Sequence, residues 1–128
     1  MGKTATHQQW EGREPNGRFA KITYDMLNSE AWKALTLRQR GLYVQLKAKY
    51  YQKVVRGVIV EANTENITMP RSEYMEFYQS AHTFLSDMRK LTECGFIKVK
   101  ESGRKSRTPN IYAFTDGWIQ YPKSKETR

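Results

Sequence analysis

The sequence holds one cysteine, Cys94, and two histidines, His7 and His82, among its 128 residues. One thiol excludes an internal disulfide and any zinc site built from several cysteines, a usage that fits a reducing compartment. Cys94 itself reads as a small core residue. His7 lies in a stretch broken by Gly2, Gly12, Pro15 and Gly17, so His82 has no imidazole partner and neither a metal site nor a catalytic base is expected. Eight tyrosines are present, but a strand-nicking tyrosine works beside a histidine pair that holds a metal, and the pair is missing. Glycine-rich phosphate loops are missing as well, because Gly103-Arg-Lys-Ser-Arg has neither the spaced glycines nor the following helix. The chain therefore reads as non-catalytic and without a cofactor. No run approaches the roughly 20 apolar residues that cross a bilayer. Residues 1–10 also lack the apolar core of a signal peptide, so the expected place is the cytoplasm, with no membrane partner.

Acids are missing from one long stretch. Residues 31–60 carry seven basic side chains (Lys33, Arg38, Arg40, Lys47, Lys49, Lys53, Arg56) and no Asp or Glu. Residues 98–128 hold eight bases against three acids, whereas residues 61–97 hold six acids against three bases. The formal net charge of +9 is thus segregated along the chain. Such segregation points to a polyanionic partner for the basic parts. Hydrophobic residues at 38% and aromatics at 12% suffice for one modest core despite a mean hydropathy of -0.80.

Residues 1–18 read as a polar arm, and order is expected from about Phe19. The segment 19–27 reads as extended chain entering a short helix, with Ser29 as N-cap for residues 30–34. Thr36-Leu-Arg-Gln39 matches a capping box and starts a long helix reaching about Gln52. Its apolar side gathers Leu35, Leu42, Tyr43, Leu46 and Tyr50, with Arg40 and Lys47 opposite. Residues 54–60 are β-branched but interrupted by Gly57, and residues 61–66 are loop-like. A short strand is expected at 67–69, then Pro70 at a first helical position and a helix over 72–78 with Tyr74, Met75 and Tyr78 together. Ser80 caps a third helix with the stripe Ala81, Phe84, Leu85, Met88 and Leu91, which Gly95 ends. Two alternating segments, 96–101 and 110–115, flank a basic loop and predict a β-hairpin. In the tail, Trp118, Ile119 and Tyr121 are expected to pack back on the core.

Two stretches resemble winged helix-turn-helix proteins. Ser80-Ala-His-Thr-Phe-Leu-Ser-Asp-Met-Arg-Lys-Leu-Thr-Glu-Cys-Gly-Phe-Ile resembles a recognition helix running into the first wing strand. Tyr24-Asp-Met-Leu-Asn-Ser-Glu-Ala-Trp-Lys-Ala-Leu-Thr-Leu-Arg-Gln-Arg-Gly-Leu-Tyr is similar to the opening of winged-helix proteins encoded by plasmids, phages and conjugative elements. The resemblance implies a mainly α fold with a small antiparallel hairpin wing (α+β), occupying residues 19–117 between the arm and a basic tail at 118–128. It also implies double-stranded DNA as partner, in plasmid replication or conjugative transfer, with a replication or transfer protein as a further partner.

Carried over residue by residue, His82, Thr83 and Ser86 take the positions that meet base edges, and Arg89 and Lys90 lie nearer phosphate. Ser80 offers its helix-terminal amide to a phosphate. Arg104, Lys105 and Arg107 take the wing tip, on the backbone or in the minor groove. The family's frequent basic residue at the start of this helix is Ala81 here, and residues 61–97 are net acidic. Sequence-independent affinity is therefore expected from the wing and the tail, with the polar helix reading bases; the basic first long helix reads by default as a solvated face, and whether it touches DNA stays open. Two other readings stay open: a transcriptional repressor of the element, or a winged module that recruits a protein through the acidic stretch Glu73 to Glu93.

Overall fold

The computed structural model describes residues 20–104 and 108–122, and the arm at 1–19 and the tail beyond 122 lie outside them. Local capping sets the start of most helices. Thr23 accepts from the Met26 amide and opens α1 (Tyr24–Leu27). Ser29 does the same for Trp32 and opens α2 (Glu30–Lys33). At Thr36 both halves of the capping box form: the hydroxyl accepts from the Gln39 amide at 3.2 Å and the Gln39 Oε1 accepts from the Thr36 amide at 2.9 Å. Helix α3 (Leu37–Lys47) follows.

α3 ends five residues earlier than its pattern predicts, and a side chain from another segment is the reason. Asn63 Nδ2 donates to the Lys49 carbonyl at 2.9 Å, and its Oδ1 accepts from the Tyr51 amide at 2.8 Å. That pair of bonds satisfies groups freed at the helix end and turns the chain into β1 (Gln52–Val55), which pairs antiparallel with β2 (Val58–Ala62). The two-residue turn is Arg56-Gly57, both with positive φ (53° and 79°), as a hairpin turn of type I′ requires. The stretch left unassigned in the sequence is thus a hairpin.

The strand expected at 67–69 shrinks to a single rung, in which the Ile67 and Tyr112 backbones exchange two hydrogen bonds of 3.0 and 2.8 Å. Pro70 stands at the N-cap of α4 (Arg71–Tyr74), one position before its expected place, and α4 is one regular turn. Looser turns carry the chain on to Tyr78, whose amide still donates to the Tyr74 carbonyl. Tyr74 and Tyr78 then clasp Phe84, stacked at 3.9 Å and edge-on at 5.6 Å between centroids.

Helix α5 (Ala81–Glu93) begins at the Ser80 cap, as its sequence predicts. Gly95 at φ 89° ends it, leading into β3 (Ile97–Glu101) and its antiparallel partner β4 (Ile111–Phe114). A 3-10 turn (Gly117–Gln120) brings Trp118 flat against Phe96, with centroids 6.2 Å apart. Trp32 and Tyr43 meet the same ring, so α2, α3, β3 and the C-terminal turn close over one aromatic centre. Leu35, Leu42, Leu46, Met88, Leu91 and Cys94 complete the buried core. The architecture is mixed α+β, with short helices and antiparallel hairpins. No helix among the described residues is long and apolar enough to cross a membrane.

Candidate nucleic-acid interface

Helix α5 divides by face with one departure from its predicted stripe: Leu85 is 47% exposed and lines the groove beside the helix. Phe84, Asp87, Met88 and Leu91 are buried, while His82, Ser86, Arg89 and Glu93 are exposed at i, i+4, i+7 and i+11. The exposed row forms one straight outward strip. Beside it, between α5, the start of α4 and the β3–β4 hairpin, lies an open groove of about 930 Å³. Met69, Phe84, Met88 and Tyr112, all buried, form its inner wall. Arg71 from α4, Arg89 from α5 and Arg104 from the hairpin loop stand exposed on its rim.

None of these three arginines has an ion-pair partner among the described residues. Three guanidiniums without ion-pair partners stand around one concavity, and their planar donor forks have the geometry that suits phosphate oxygens. The loop that carries Arg104 is tied at its base by Asn110 Oδ1 accepting from the Gly103 amide at 2.8 Å and by the Thr108 amide donating to the Gly103 carbonyl at 3.0 Å.

The other expected contact residues separate. Ser80 is exposed, but its Oγ already accepts from the Thr83 amide, and the Thr83 hydroxyl lies 3.0 Å from it. Thr83 is half-buried and belongs to the cap more than to the outward strip. Lys90 is half-buried and does not line the groove, so Arg89 acts without it. Lys105 and Arg107 lie outside the described residues.

The basic stretch 31–60 is largely engaged within the protein. Lys33 pairs with Glu30, Lys49 with Glu73, and Arg38 with Asp87. Arg40 does not point away from the apolar side. Its Nε donates to the Trp32 carbonyl at 3.2 Å and its guanidinium stands over the Trp32 ring. Lys47 likewise turns inward, its ammonium 4.6 Å from the Phe114 centroid, and burial, aided by Lys21, holds its pKa below the ordinary lysine value. The long helix is therefore a poor grip for phosphate, since its cations already hold partners from other segments. Only Lys53 and Arg56 of the seven remain without such a contact among the described residues.

Asp87 is the residue that motif reasoning passes over. It is 1% exposed on the inner side of α5, and its carboxylate accepts four hydrogen bonds. Arg38 donates from Nε at 2.6 Å and Nη2 at 2.9 Å, Gln39 from Nε2 at 3.0 Å, and the Tyr78 hydroxyl at 2.6 Å. Burial pushes the Asp87 carboxyl up, but the bonds from Arg38, Tyr78 and Gln39 outweigh it and hold it below the ordinary aspartate value. The same contact raises the Arg38 guanidinium, and burial followed by Asp87 raises the Tyr78 phenol. This network locks α5 to α3 and fixes which face of α5 turns outward. Its sequence signal was available: Asp87 sits three residues after Phe84 and four before Leu91, so an acid falls on the core face and needs partners.

Comparison with known proteins returned nothing: the chain matches no family model, no curated protein and no solved structure significantly. The site must be read from its own chemistry. Among the described residues no three His, Cys, Asp or Glu side chains gather to hold a metal ion. What the surface offers is a polar helical strip, a cationic groove beside it and a looped hairpin at the groove's far side.

Proposed function

We propose that this chain is a non-catalytic double-stranded DNA-binding protein of winged helix-turn-helix design. In this reading α4, the turn and α5 are the helix-turn-helix, and the β3–β4 hairpin is the wing. The observation that carries it is the groove between α5 and the hairpin, rimmed by Arg71, Arg89 and Arg104. A duplex whose major groove receives the His82–Ser86 strip would run its backbone past those guanidiniums. The mobile-element setting, as accessory to plasmid replication or conjugative transfer in the cytoplasm, rests on the resemblance of residues 24–43.

The division of labour differs from the one the sequence suggested. Phosphate attraction comes from arginines that flank the reading helix, with the wing and tail adding to it, and α3 contributes packing. His82 and Ser86 are left as the base readers, with Arg89 at the edge of the strip.

Binding to a duplex from the element's own origin, compared with a scrambled duplex across a salt series, tests this directly. Selective binding that weakens steeply with salt is the expected result, and no binding at low salt overturns it. Arg89→Ala with Arg104→Ala should weaken all duplexes alike and flatten the slope of log K against log salt by about two. His82→Ala with Ser86→Ala should leave that slope in place and remove about 1–3 kcal/mol of preference among duplexes. Preference that survives this pair means that α5 does not read bases.

A further inference from the structure

The β1–β2 hairpin stands apart from the core. Every residue from Gln52 to Ala62 is exposed, and Val54, Val55, Val58, Ile59 and Val60 are each 45–61% exposed. A lone two-stranded hairpin is marginal in water, and contiguous β-branched residues on an open ribbon mark a surface that another strand covers. The chain's undescribed segments offer little cover, since their large apolar side chains are Met1, Trp10 and Phe19. The ribbon's charges are Lys53, Arg56 and Glu61, too few and too mixed for a phosphate surface.

The pairing pattern tells the two edges apart. The register runs Gln52↔Ala62, Lys53↔Glu61, Val54↔Ile59 and Val55↔Val58, which leaves Val60 as an extra, bulged residue in β2. β1 is regular. Because Val55 and Val58 close the two-residue turn, backbone alternation directs the Val54 N–H and C=O away from β2, to the open edge of β1.

We propose that β1 is the seam of a two-fold dimer of this chain, pairing antiparallel with β1 of a second copy about an axis at Val54. The two Val54 residues then exchange N–H→O=C bonds, and Ile59, Val54, Val54 and Ile59 form one apolar row across a four-stranded sheet. Charges are compatible with this self-pairing. Lys53 meets Val55 of the other copy, Gln52 meets Arg56, and no like charges face each other. The β2 edge is the poorer choice, because its bulge interrupts a ladder and an axis at Glu61 sets two acids opposite. The inference does not rest on the DNA reading.

Light scattering on the full chain across a concentration series tests it. The expected mass rises from 15.1 kDa toward twice that value. Val54→Pro removes the outward N–H without taking a bond from the inner ladder, and Val54→Lys sets like charges across the axis. Each should raise the dimer dissociation constant at least about tenfold while leaving the thermal transition of the domain in place, a shift of about 1.4 kcal/mol. Val60→Lys on the other edge should leave the dimer intact. As a measurement without substitution, the Val54 amide should exchange slowly at high concentration and at the solvent rate on dilution. A monomer throughout, Val54 variants that dimerise like the parent, dissociation by Val60→Lys alone, two copies appearing only on duplex, or solvent-rate exchange of the Val54 amide at high concentration would each overturn the proposal.

Discussion

Replacing Asp87 with alanine is expected to lower the unfolding free energy by about 3 kcal/mol, which for a domain of this size moves the thermal midpoint by about 15 °C. The loss does not come chiefly from the ion pair. Arg38 keeps much of its side chain in solvent and recovers hydration when its partner goes. Gln39 and Tyr78 do not, because both are buried and their donors would be left without an acceptor. A buried donor stranded in this way costs about 1–3 kcal/mol. The substitution also frees α5 to rotate against α3, so under the proposed DNA-binding function duplex preference should fall even in the fraction that stays folded.

The pH dependence of that same effect has a definite sign. The Asp87 carboxyl is depressed in the folded state, so its contribution is present above the unfolded carboxylate value and lost as pH falls through the folded one. Thermal melting of parent and Asp87→Ala across pH should therefore show a constant gap above about pH 5 that narrows below about pH 4. A gap that stays constant into strong acid would mean that Asp87 acts through shape and not through charge.

Gly95→Ala is expected to cost at least about 3 kcal/mol, a large share of the roughly 5–15 kcal/mol that holds a domain folded. Two penalties combine. Gly95 ends α5 at φ 89°, where an L-side chain adds about 1–2 kcal/mol. A Cβ there would also overlap the backbone of Gly117 and Trp118, which has no flexible end to move aside. Trp118 donates its amide to the Gly95 carbonyl at 3.0 Å and Thr115 donates its hydroxyl to the same oxygen at 2.6 Å. Displacing that turn lifts Trp118 off Phe96. Expression level and denaturant midpoint report the outcome, and a midpoint within error of the parent would show that the turn can yield.

Much of the helical frame was legible because its signals are local. Thr36 and Gln39 lie one turn apart, as do Ser29 and Trp32, or Ser80 and Thr83, so a few adjacent residues contain both partners of each cap. The stripe of α5 is local too, since its face repeats within the element, whereas the burial of β3 and β4 does not follow the alternation of their sequences. The β1–β2 hairpin escaped for a physical reason: both of its faces are exposed and β-branched, so it shows no alternation. Its turn also places Arg56, not an Asn or Asp, at positive φ.

The basic stretch shows how far a charge pattern can be trusted. The absence of acids from residues 31–60 suggested a free cationic face, yet Glu73 and Asp87 arrive from residues beyond that window to pair with Lys49 and Arg38. Arg40 and Lys47 are taken by aromatic rings. The candidate site was legible in part: His82, Ser86, Arg89 and Arg104 keep exposed positions, whereas Arg71 had no signal beyond its charge.

The single cysteine, the missing histidine pair and the missing phosphate loop, together with the caps and periodicities, were enough to set the types of the helices and of the β3–β4 hairpin and to direct attention to binding over chemistry. Those are properties of composition and of neighbours within a turn or two, where few partners compete. Which cations remain free, where α3 stops, how α5 is rotated and which three arginines share a groove were decided only by tertiary structure. Each depends on partners from other segments, 14 residues away at the end of α3 and 49 residues away for Arg38 and Asp87, and nothing in the sequence between them records that they will meet.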